Sequence, residues 1–240
     1  MEEVQGKLRP SLGDYLVPIP KEQDKGIIAF LKKASDFLFP RHLVCHCCDR
    51  EAVVNEYGIC SECEKELELA PNIGLIEYVD GHASGLLYRG AAANAIKSFK
   101  YDGQLYKKEM FIPFMQIPAE WAFDYVISVP LHPKRERSRG YNQSEVLASA
   151  VAARYGLKSS REFLSRKRDT PKQALMNTDE RSKNLKDAFS ASPDVKGRGF
   201  LLIDDVYTTG ATLSECARTL KKQGAVRVYA LTACSAANVN

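Results

Sequence analysis

The pattern of apolar and polar positions is clearest near the C-terminus, where a continuous apolar run at 200–203 ends abruptly in two acids. Such a run is typical of a strand buried on both faces of a parallel sheet. From Thr212 onward, apolar residues recur at the helical spacing i, i+3, i+4 and i+7, until Gly224 stops the pattern. A further β-type run follows at 226–232. The pattern therefore predicts strand, turn, helix and strand, joined as a right-handed parallel crossover.

The turn between this strand and the helix is rich in small residues. Thr208, Thr209 and Thr212 add hydroxyl donors to the backbone N–H groups that a helix N-terminus exposes. This combination predicts a phosphate cradle. Asp204 and Asp205, just before the turn, would repel a phosphate, so we expect them to face hydroxyl groups or a cation one sugar's width away. A ribose 5-phosphate meets both conditions.

The stretch 203–212 resembles the phosphoribosyl pyrophosphate (PRPP) signature of type I phosphoribosyltransferases. A chance acidic turn would leave its paired acids and small residues unexplained, and no Gly-Lys-Ser/Thr follows as in Walker-type nucleotide sites. The resemblance implies an α/β fold with a mainly parallel, twisted sheet and flanking helices, and PRPP bound together with Mg2+. The residues it assigns to PRPP are Asp204, Asp205, Val206, Thr208, Thr209, Gly210, Ala211 and Thr212.

Upstream patterns predict the remaining elements. Two short strands around Asp80 and Gly81 suggest a hairpin over 75–89, and an Ala-rich helix follows within 88–103. A buried strand is expected at 125–130 and a helix at 144–155. Residues 1–40 predict a loose arm and a helix that ends before Pro40. We therefore expect three segments: an N-terminal arm and helix at 1–40, a cysteine module at 41–70 and the α/β domain at 71–240.

Five of the seven cysteines lie within residues 45–63. The pairs Cys45/Cys48 and Cys60/Cys63 form two C-x-x-C knuckles, whose four thiolates can complete the closed tetrahedral shell of a structural zinc site. The residues around them predict a zinc-ribbon-like plan, with a short strand and turn at 51–58 and a short helix at 64–69. His46 or Cys47 could replace a neighbour in the first knuckle. A redox role is a weaker alternative, because a thioredoxin-type motif needs no second pair.

Composition limits the protein class. With 45% hydrophobic and 27% charged residues over 240 positions, the chain can form one substantial α/β domain and a small module. No apolar run reaches membrane-spanning length, and the N-terminus lacks the pattern of a signal peptide. We therefore expect a cytoplasmic protein without membrane insertion. Its thiols would be reduced, which favours metal ligands over disulfides.

Positive charge is concentrated in residues 130–200, which hold 16 Lys and Arg against 8 Asp and Glu, although the whole chain carries a net charge of only +4. Lys134, Arg135, Arg137 and Arg139 lie in a predicted loop just after the strand at 125–130. At the carboxyl end of a strand, these four residues suit the diphosphate of PRPP. A solvated loop, or one that contacts nucleic acid phosphates, stays open as an alternative.

Several blocks resemble the ComF family of competence-associated, phosphoribosyltransferase-like proteins. They are Tyr-Arg-Gly at 88–90, Ile-Lys at 96–97, Lys-Tyr-Asp-Gly at 100–103, Gly-Tyr-Asn-Gln at 140–143, and a spaced Arg, Thr, Gln, Leu, Asn and Phe series within 166–189. The resemblance spans about residues 40–232. Many ComF-like chains have a further cysteine pair before the position of the predicted hairpin, and this chain has none. We therefore expect one zinc ion.

Two functions follow from these resemblances. The ComF resemblance implies a role in natural transformation, acting on incoming single-stranded DNA with a helicase-like competence ATPase as partner. The alternative is an active phosphoribosyltransferase that transfers phosphoribose to an unidentified base or amine and releases pyrophosphate. The sequence indicates no acceptor site and leaves catalysis open. Because residues 1–80 are acidic, any DNA contact is expected within 130–200.

Overall fold

The structure is a computed structural model that describes residues 44–71, 75–169 and 185–236. The predicted N-terminal arm and helix at 1–40 lie outside these residues. Six strands are described: β1 (Gly81–Leu87), β2 (Tyr125–Ser128), β3 (Leu164–Arg166), β4 (Phe189–Ala191), β5 (Gly199–Tyr207) and β6 (Arg227–Ser235). Within the described ranges, no helix is long and apolar enough to cross a membrane.

Six α-helices are described over the same residues: α1 (Ser61–Glu66), α2 (Gly90–Tyr101), α3 (Lys108–Phe111), α4 (Pro133–Arg139), α5 (Gln143–Tyr155) and α6 (Ala211–Lys222). Short 3-10 turns occupy Leu105–Lys107, Ile112–Phe114 and Pro193–Val195. The helices predicted at 88–103, at 144–155 and after Thr212 therefore correspond to α2, α5 and α6.

Four strands form a parallel sheet in the order β1-β6-β5-β2, while β3 and β4 pair separately as an antiparallel ribbon. The apolar run that begins β5 lies at the centre of the sheet, and each residue from Phe200 to Ile203 is fully buried. Phe200 pairs with Val228 and Ile203 with Leu231, so β5 and β6 run parallel with α6 between them. The predicted strand, turn, helix and strand with parallel pairing and the α/β fold class are confirmed.

Alternation along β5 divides the core between the two faces of the sheet. Leu201 and Ile203 pack in an apolar cluster with α2 and α5, whereas Phe200 and Leu202 pack in a second cluster with α6. A strand buried on both faces must be apolar at every position, which is why a continuous run was visible in the sequence. Cys216 of α6 and Cys234 of β6 are fully buried in this core.

The hairpin predicted over 75–89 is wrong. The described residues of that range hold one strand, β1, which pairs in parallel with β6. Asp80 is not the turn residue of a hairpin, because its Oδ2 accepts hydrogen bonds from the Val228 backbone N–H at 2.7 Å and from Lys221 Nζ at 2.6 Å. The Asp-Gly pair therefore fastens the start of β1 to β6 and α6.

The cysteine segment, residues 44–71, packs directly against the sheet domain. Tyr57, Ile59 and Leu67 share an apolar cluster with Leu86 of β1 and with α2. The predicted strand within it is reduced to isolated bridges, and its helix, α1, begins three residues earlier than expected. The segment boundaries at residues 40 and 70 stay a prediction.

Candidate functional site

A cleft of about 520 Å3 opens where β2 and β5 end at their carboxyl edge. Its walls come from the end of α2, the residues after β2, the helices α4 and α5, the strand β3 and the start of α6. Ligands of open α/β sheets bind at this edge. Among the predicted PRPP residues, five line the cleft: Asp204, Asp205, Thr212, Arg135 and Arg139.

The acid pair lies inside β5, because the strand continues past it to Tyr207. Asp204 Oδ1 accepts hydrogen bonds from Ser144 Oγ at 2.7 Å and from the backbone N–H of Asp205 at 2.9 Å. Asp205 Oδ1 lies 2.9 Å from Lys100 Nζ. Asp204 is thus paired with a hydroxyl at the start of α5, and Asp205 with an ammonium group at the end of α2.

The electrostatics of the pair are unequal. Burial and, to a lesser extent, the negative charge of Asp205 raise the pKa of Asp204 to about 7, although the Ser144 hydrogen bond and Lys100 oppose both effects. Burial alone would lower the pKa of Lys100, but the charges of Asp205 and Asp204 outweigh it, so this pKa is raised. The site therefore holds a permanent cation next to an acid that titrates near neutrality.

The turn after β5, predicted as a phosphate cradle, leads into α6 through a glycine. Gly210 has a φ of +76° and a Cβ there would lie 3.0 Å from Tyr207 Cε2, so glycine is needed. It precedes α6, and the backbone N–H of Ala211, the first residue of that helix, donates to Thr209 Oγ1 at 3.5 Å. The side chains of Val206 and Ala211 pack against the two apolar clusters. Any contact of these two residues with a ligand would therefore be through the backbone.

The basic stretch is a helix, so the predicted loop is wrong. His132 caps it, because its Nδ1 accepts from the backbone N–H of Lys134 at 3.3 Å, Pro133 is its first residue, and Gly140 ends it at a φ of +89°. Arg135 and Arg139, four residues apart, share the face that lines the cleft.

The other two basic residues of α4, Lys134 and Arg137, are exposed and are not among the residues lining the cleft. The helix thus divides the predicted set between two faces. On the inner face, Arg139 donates to Gln143 Oε1 at 2.6 Å and its guanidinium lies 5.1 Å from the centre of the Tyr101 ring. Arg135 Nε lies 3.0 Å from Asp169 Oδ1.

Several residues that line the cleft had no predicted role. Arg166 of β3 is nearly buried, and burial together with the charge of Arg135 lowers its pKa. It lies in the Arg, Thr, Gln series that resembles ComF, but the rest of that series within 170–184 is outside the described residues. The further cleft residues without a predicted role are Lys100, Tyr101, Val129, Pro130, Leu131, Ser138, Gln143 and Ser144.

The four predicted zinc ligands come together in the structure. The Sγ atoms of Cys45, Cys48, Cys60 and Cys63 all lie within 4.8 Å of one another, compared with about 3.8 Å for sulfurs 2.3 Å from a tetrahedral zinc ion. Cys45 Sγ also accepts from the backbone N–H of Cys60 at 3.3 Å, a bond that favours a thiolate. The set could hold a metal ion.

The two alternative ligands contact the sheet domain. Cys47 Sγ donates to Met110 Sδ of α3 at 3.5 Å, and the His46 ring packs edge-on against Tyr106 with ring centres 5.1 Å apart. Neither belongs to the four-sulfur cluster. The first knuckle thus presents two side chains to the metal position and two to the sheet domain.

Comparison with known proteins agrees with this geometry. The phosphoribosyl transferase domain family matches residues 141–238. The chain is similar to that family over these residues, which form less than half of it. Over 209 residues it is 25% identical to Competence protein F of Haemophilus influenzae, covering 75% of this chain and 91% of that protein. Over 153 residues it is 29% identical to Competence protein ComFC of Streptococcus pneumoniae, covering 62% and 67%. The predicted resemblance to ComF proteins is confirmed.

Another relative is DNA utilization protein YhgH of Escherichia coli O6:H1, 37% identical over 111 residues, which are 46% of this chain. The chain spans about half, 49%, of the length of that relative. Among solved structures, an adenine phosphoribosyltransferase from Thermoanaerobacter pseudethanolicus is 12% identical with a TM-score of 0.35, over 55% of this chain and 83% of that one. A likeness of that size supports no inference about function.

Proposed function

We propose that the protein binds PRPP with Mg2+ in the cleft at the carboxyl ends of β2 and β5. One observation carries the proposal: the acid pair, Thr212 at the start of α6 and two inward-facing arginines line one cleft at the carboxyl edge of a parallel sheet. Each group has the chemistry that one part of PRPP needs. The similarity to the phosphoribosyl transferase domain family over residues 141–238 includes the acid pair and the start of α6, and it supports the assignment.

The contacts would divide as follows. Asp204 and Asp205 would accept hydrogen bonds from the ribose hydroxyls, and the turn at 208–212 would donate backbone and hydroxyl hydrogen bonds to the 5-phosphate. Arg135, Arg139 and Arg166 would pair with the diphosphate. Mg2+, when bound with PRPP, would neutralise diphosphate charge and polarise the bond to ribose C1. The chain's own contribution would be positioning and charge compensation.

Calorimetric titration of PRPP with Mg2+ into the full chain tests this proposal. Replacing Asp204→Asn and Asp205→Asn together should weaken binding by at least about tenfold, because each lost charge-assisted bond to a buried hydroxyl is worth roughly 1–3 kcal/mol. Glu120→Gln removes an exposed charge away from the cleft and serves as the control. Unchanged affinity in the double variant would refute the ribose assignment.

We also propose that Cys45, Cys48, Cys60 and Cys63 hold one structural zinc ion. Four cysteine ligands leave no open position for chemistry at the metal. Its contribution would be to hold the two knuckles together, in a segment with too few residues to fold by its own core. Metal analysis of the purified protein should find one zinc per chain.

A role with single-stranded DNA is the second candidate, favoured by the outward face of α4. Lys134 and Arg137 are exposed there, and relatives carry the names competence protein and DNA utilization protein. Binding would be tolerant of sequence and would weaken steeply with salt. Fluorescence anisotropy with oligonucleotides at two salt concentrations tests it, and a helicase-like competence ATPase is the partner to try next.

Whether PRPP is also a substrate is a separate question with a direct assay. An active phosphoribosyltransferase would release pyrophosphate when an acceptor base, amine or single-stranded DNA is added with PRPP. The assay should include the double Asp variant, because release in this cleft should fall together with its affinity for PRPP.

A further inference from the structure

Lys100 is a cation of the cleft that had no predicted role. It is the penultimate residue of α2, its Nζ lies 2.9 Å from Asp205 Oδ1, and its side chain is 22% exposed. It lines the cleft with both acids. A basic residue in the last turn of a helix is favoured by the helix dipole, but this one points its charge at a ligand site.

The position of Lys100 is held by bonds that end α2. Gln143 Nε2 donates to the backbone carbonyl of Lys100 at 3.3 Å, and Tyr141 Oη donates to the carbonyl of Phe99. The last carbonyls of a helix lack partners inside it, and here the junction between α4 and α5 supplies them. The same junction supplies Ser144, the partner of Asp204. One piece of structure therefore fixes the partners of both acids.

Without a cation beside them, two adjacent carboxylates would repel each other, share a proton, or take up a divalent cation, since Mg2+ and Mn2+ prefer carboxylate oxygens. An ammonium group 2.9 Å from one of the oxygens supplies the opposite charge without a metal. It also leaves the carboxylates able to accept hydrogen bonds from a sugar.

We infer that Lys100 is the resident counter-cation of the acid pair, which holds Asp205 in position for ribose hydroxyls and keeps the pair from binding a free divalent cation. The part of this inference that concerns ribose hydroxyls rests on the proposed function. Lys100 is a positioning residue in this role, acting on the ligand through Asp205. A divalent ion would then enter the site with the diphosphate and not ahead of it.

The test compares Lys100→Met, Lys100→Arg and Lys97→Met in the full chain. Lys97 is exposed on the same helix and provides the matched control. Mn2+ binding without PRPP is measured by electron paramagnetic resonance. We expect Lys100→Met to bind Mn2+ at least about tenfold more tightly than the unaltered protein, and the other two variants to match that protein. Adding Asp204→Asn and Asp205→Asn to Lys100→Met should abolish the gain.

PRPP affinity is then measured with and without Mg2+. In Lys100→Met, affinity without Mg2+ should fall by at least about tenfold, and saturating Mg2+ should restore most of it, since the ion can replace the lost charge. A merely structural defect would lower both affinities and create no Mn2+ site. Mn2+ affinity in Lys100→Met equal to that of the unaltered protein would overturn the inference. If neither the unaltered protein nor any variant binds PRPP, the proposed function fails. A Mn2+ site gained in Lys100→Met would then still support the counter-cation role.

Discussion

Lys107 Nζ lies 2.9 Å from Asp49 Oδ2, and this lysine is fully buried although it belongs to a 3-10 turn of the sheet domain. Asp49 follows the first cysteine knuckle and also accepts a hydrogen bond from Tyr106 Oη at 3.3 Å. A buried ammonium group is costly unless it is paired. The ion pair therefore joins the cysteine segment to the sheet domain.

We predict that Asp49→Asn lowers the free energy of unfolding by about 1–3 kcal/mol, because Lys107 stays buried without its counter-charge. The loss of roughly 3–5 kcal/mol known for fully buried pairs is not expected, since the Asp49 side chain is 41% exposed. Asparagine tolerates the left-handed backbone at this position, where φ is +57°. Urea unfolding measures the change, with Glu51→Gln, an exposed acid of the same segment, as control. Equal losses in both variants would contradict the role of the pair.

A second prediction concerns the metal. Cys60→Ser should lose bound zinc and lower the melting temperature of the whole chain, because the cysteine segment and α2 share one apolar cluster. Cys47→Ala is the control: its thiol contacts Met110, so metal content should stay at one zinc per chain. Elemental analysis and calorimetry measure the two effects. Zinc loss in Cys47→Ala, with retention in Cys60→Ser, would reverse the assignment of ligands.

Local patterns predicted the centre of the fold well. The run at 200–203 and the period of α6 lie within one short stretch, and both follow directly from burial on the faces of a sheet. The helix α4 was missed because its charged residues form no apolar stripe, although His132, Pro133 and Gly140 are favourable start and stop signals. Lys100 could not be predicted as a partner of Asp205, because about a hundred residues separate them and only the tertiary fold brings them together.

The pKa of Asp204 gives a prediction with a defined sign. Its folded value, raised from 3.8 to about 7, means that the folded state binds this proton more tightly than the unfolded state. The free energy of unfolding should therefore fall as pH rises from about 4 to about 7, by up to about 4 kcal/mol from this group alone. Asp204→Asn should remove that contribution.

The measurement is the difference between the two proteins across this range, because other groups titrate there too. Burial lowers the pKa of His82 to about 4, so its contribution has the opposite sign and is lost as pH falls below 6.5. Denaturant unfolding at pH 5 and pH 7.5 gives the comparison. The variant should gain stability relative to the unaltered protein at the higher pH. A difference that does not change with pH would show that Asp204 titrates in its ordinary range.

The two faces of α4 give the last prediction, which separates the two candidate ligands. The inner pair, Arg135 and Arg139, lines the cleft, whereas the outer pair, Lys134 and Arg137, is exposed. Each pair carries two positive charges on the same seven-residue helix. Replacing either pair by alanine changes net charge and helix propensity almost equally, so each double variant is the control for the other.

Arg135→Ala with Arg139→Ala should weaken PRPP binding by at least about tenfold, because charge-assisted bonds to phosphate oxygens are lost. Lys134→Ala with Arg137→Ala should leave PRPP binding intact and should reduce both the affinity for single-stranded DNA and its dependence on salt, since fewer counterions are released. Calorimetry and anisotropy on the same preparations measure the two ligands. If only the inner pair changed the affinities for both PRPP and DNA, the two ligands would compete for one surface. If neither pair changed DNA affinity, α4 would have no part in DNA binding.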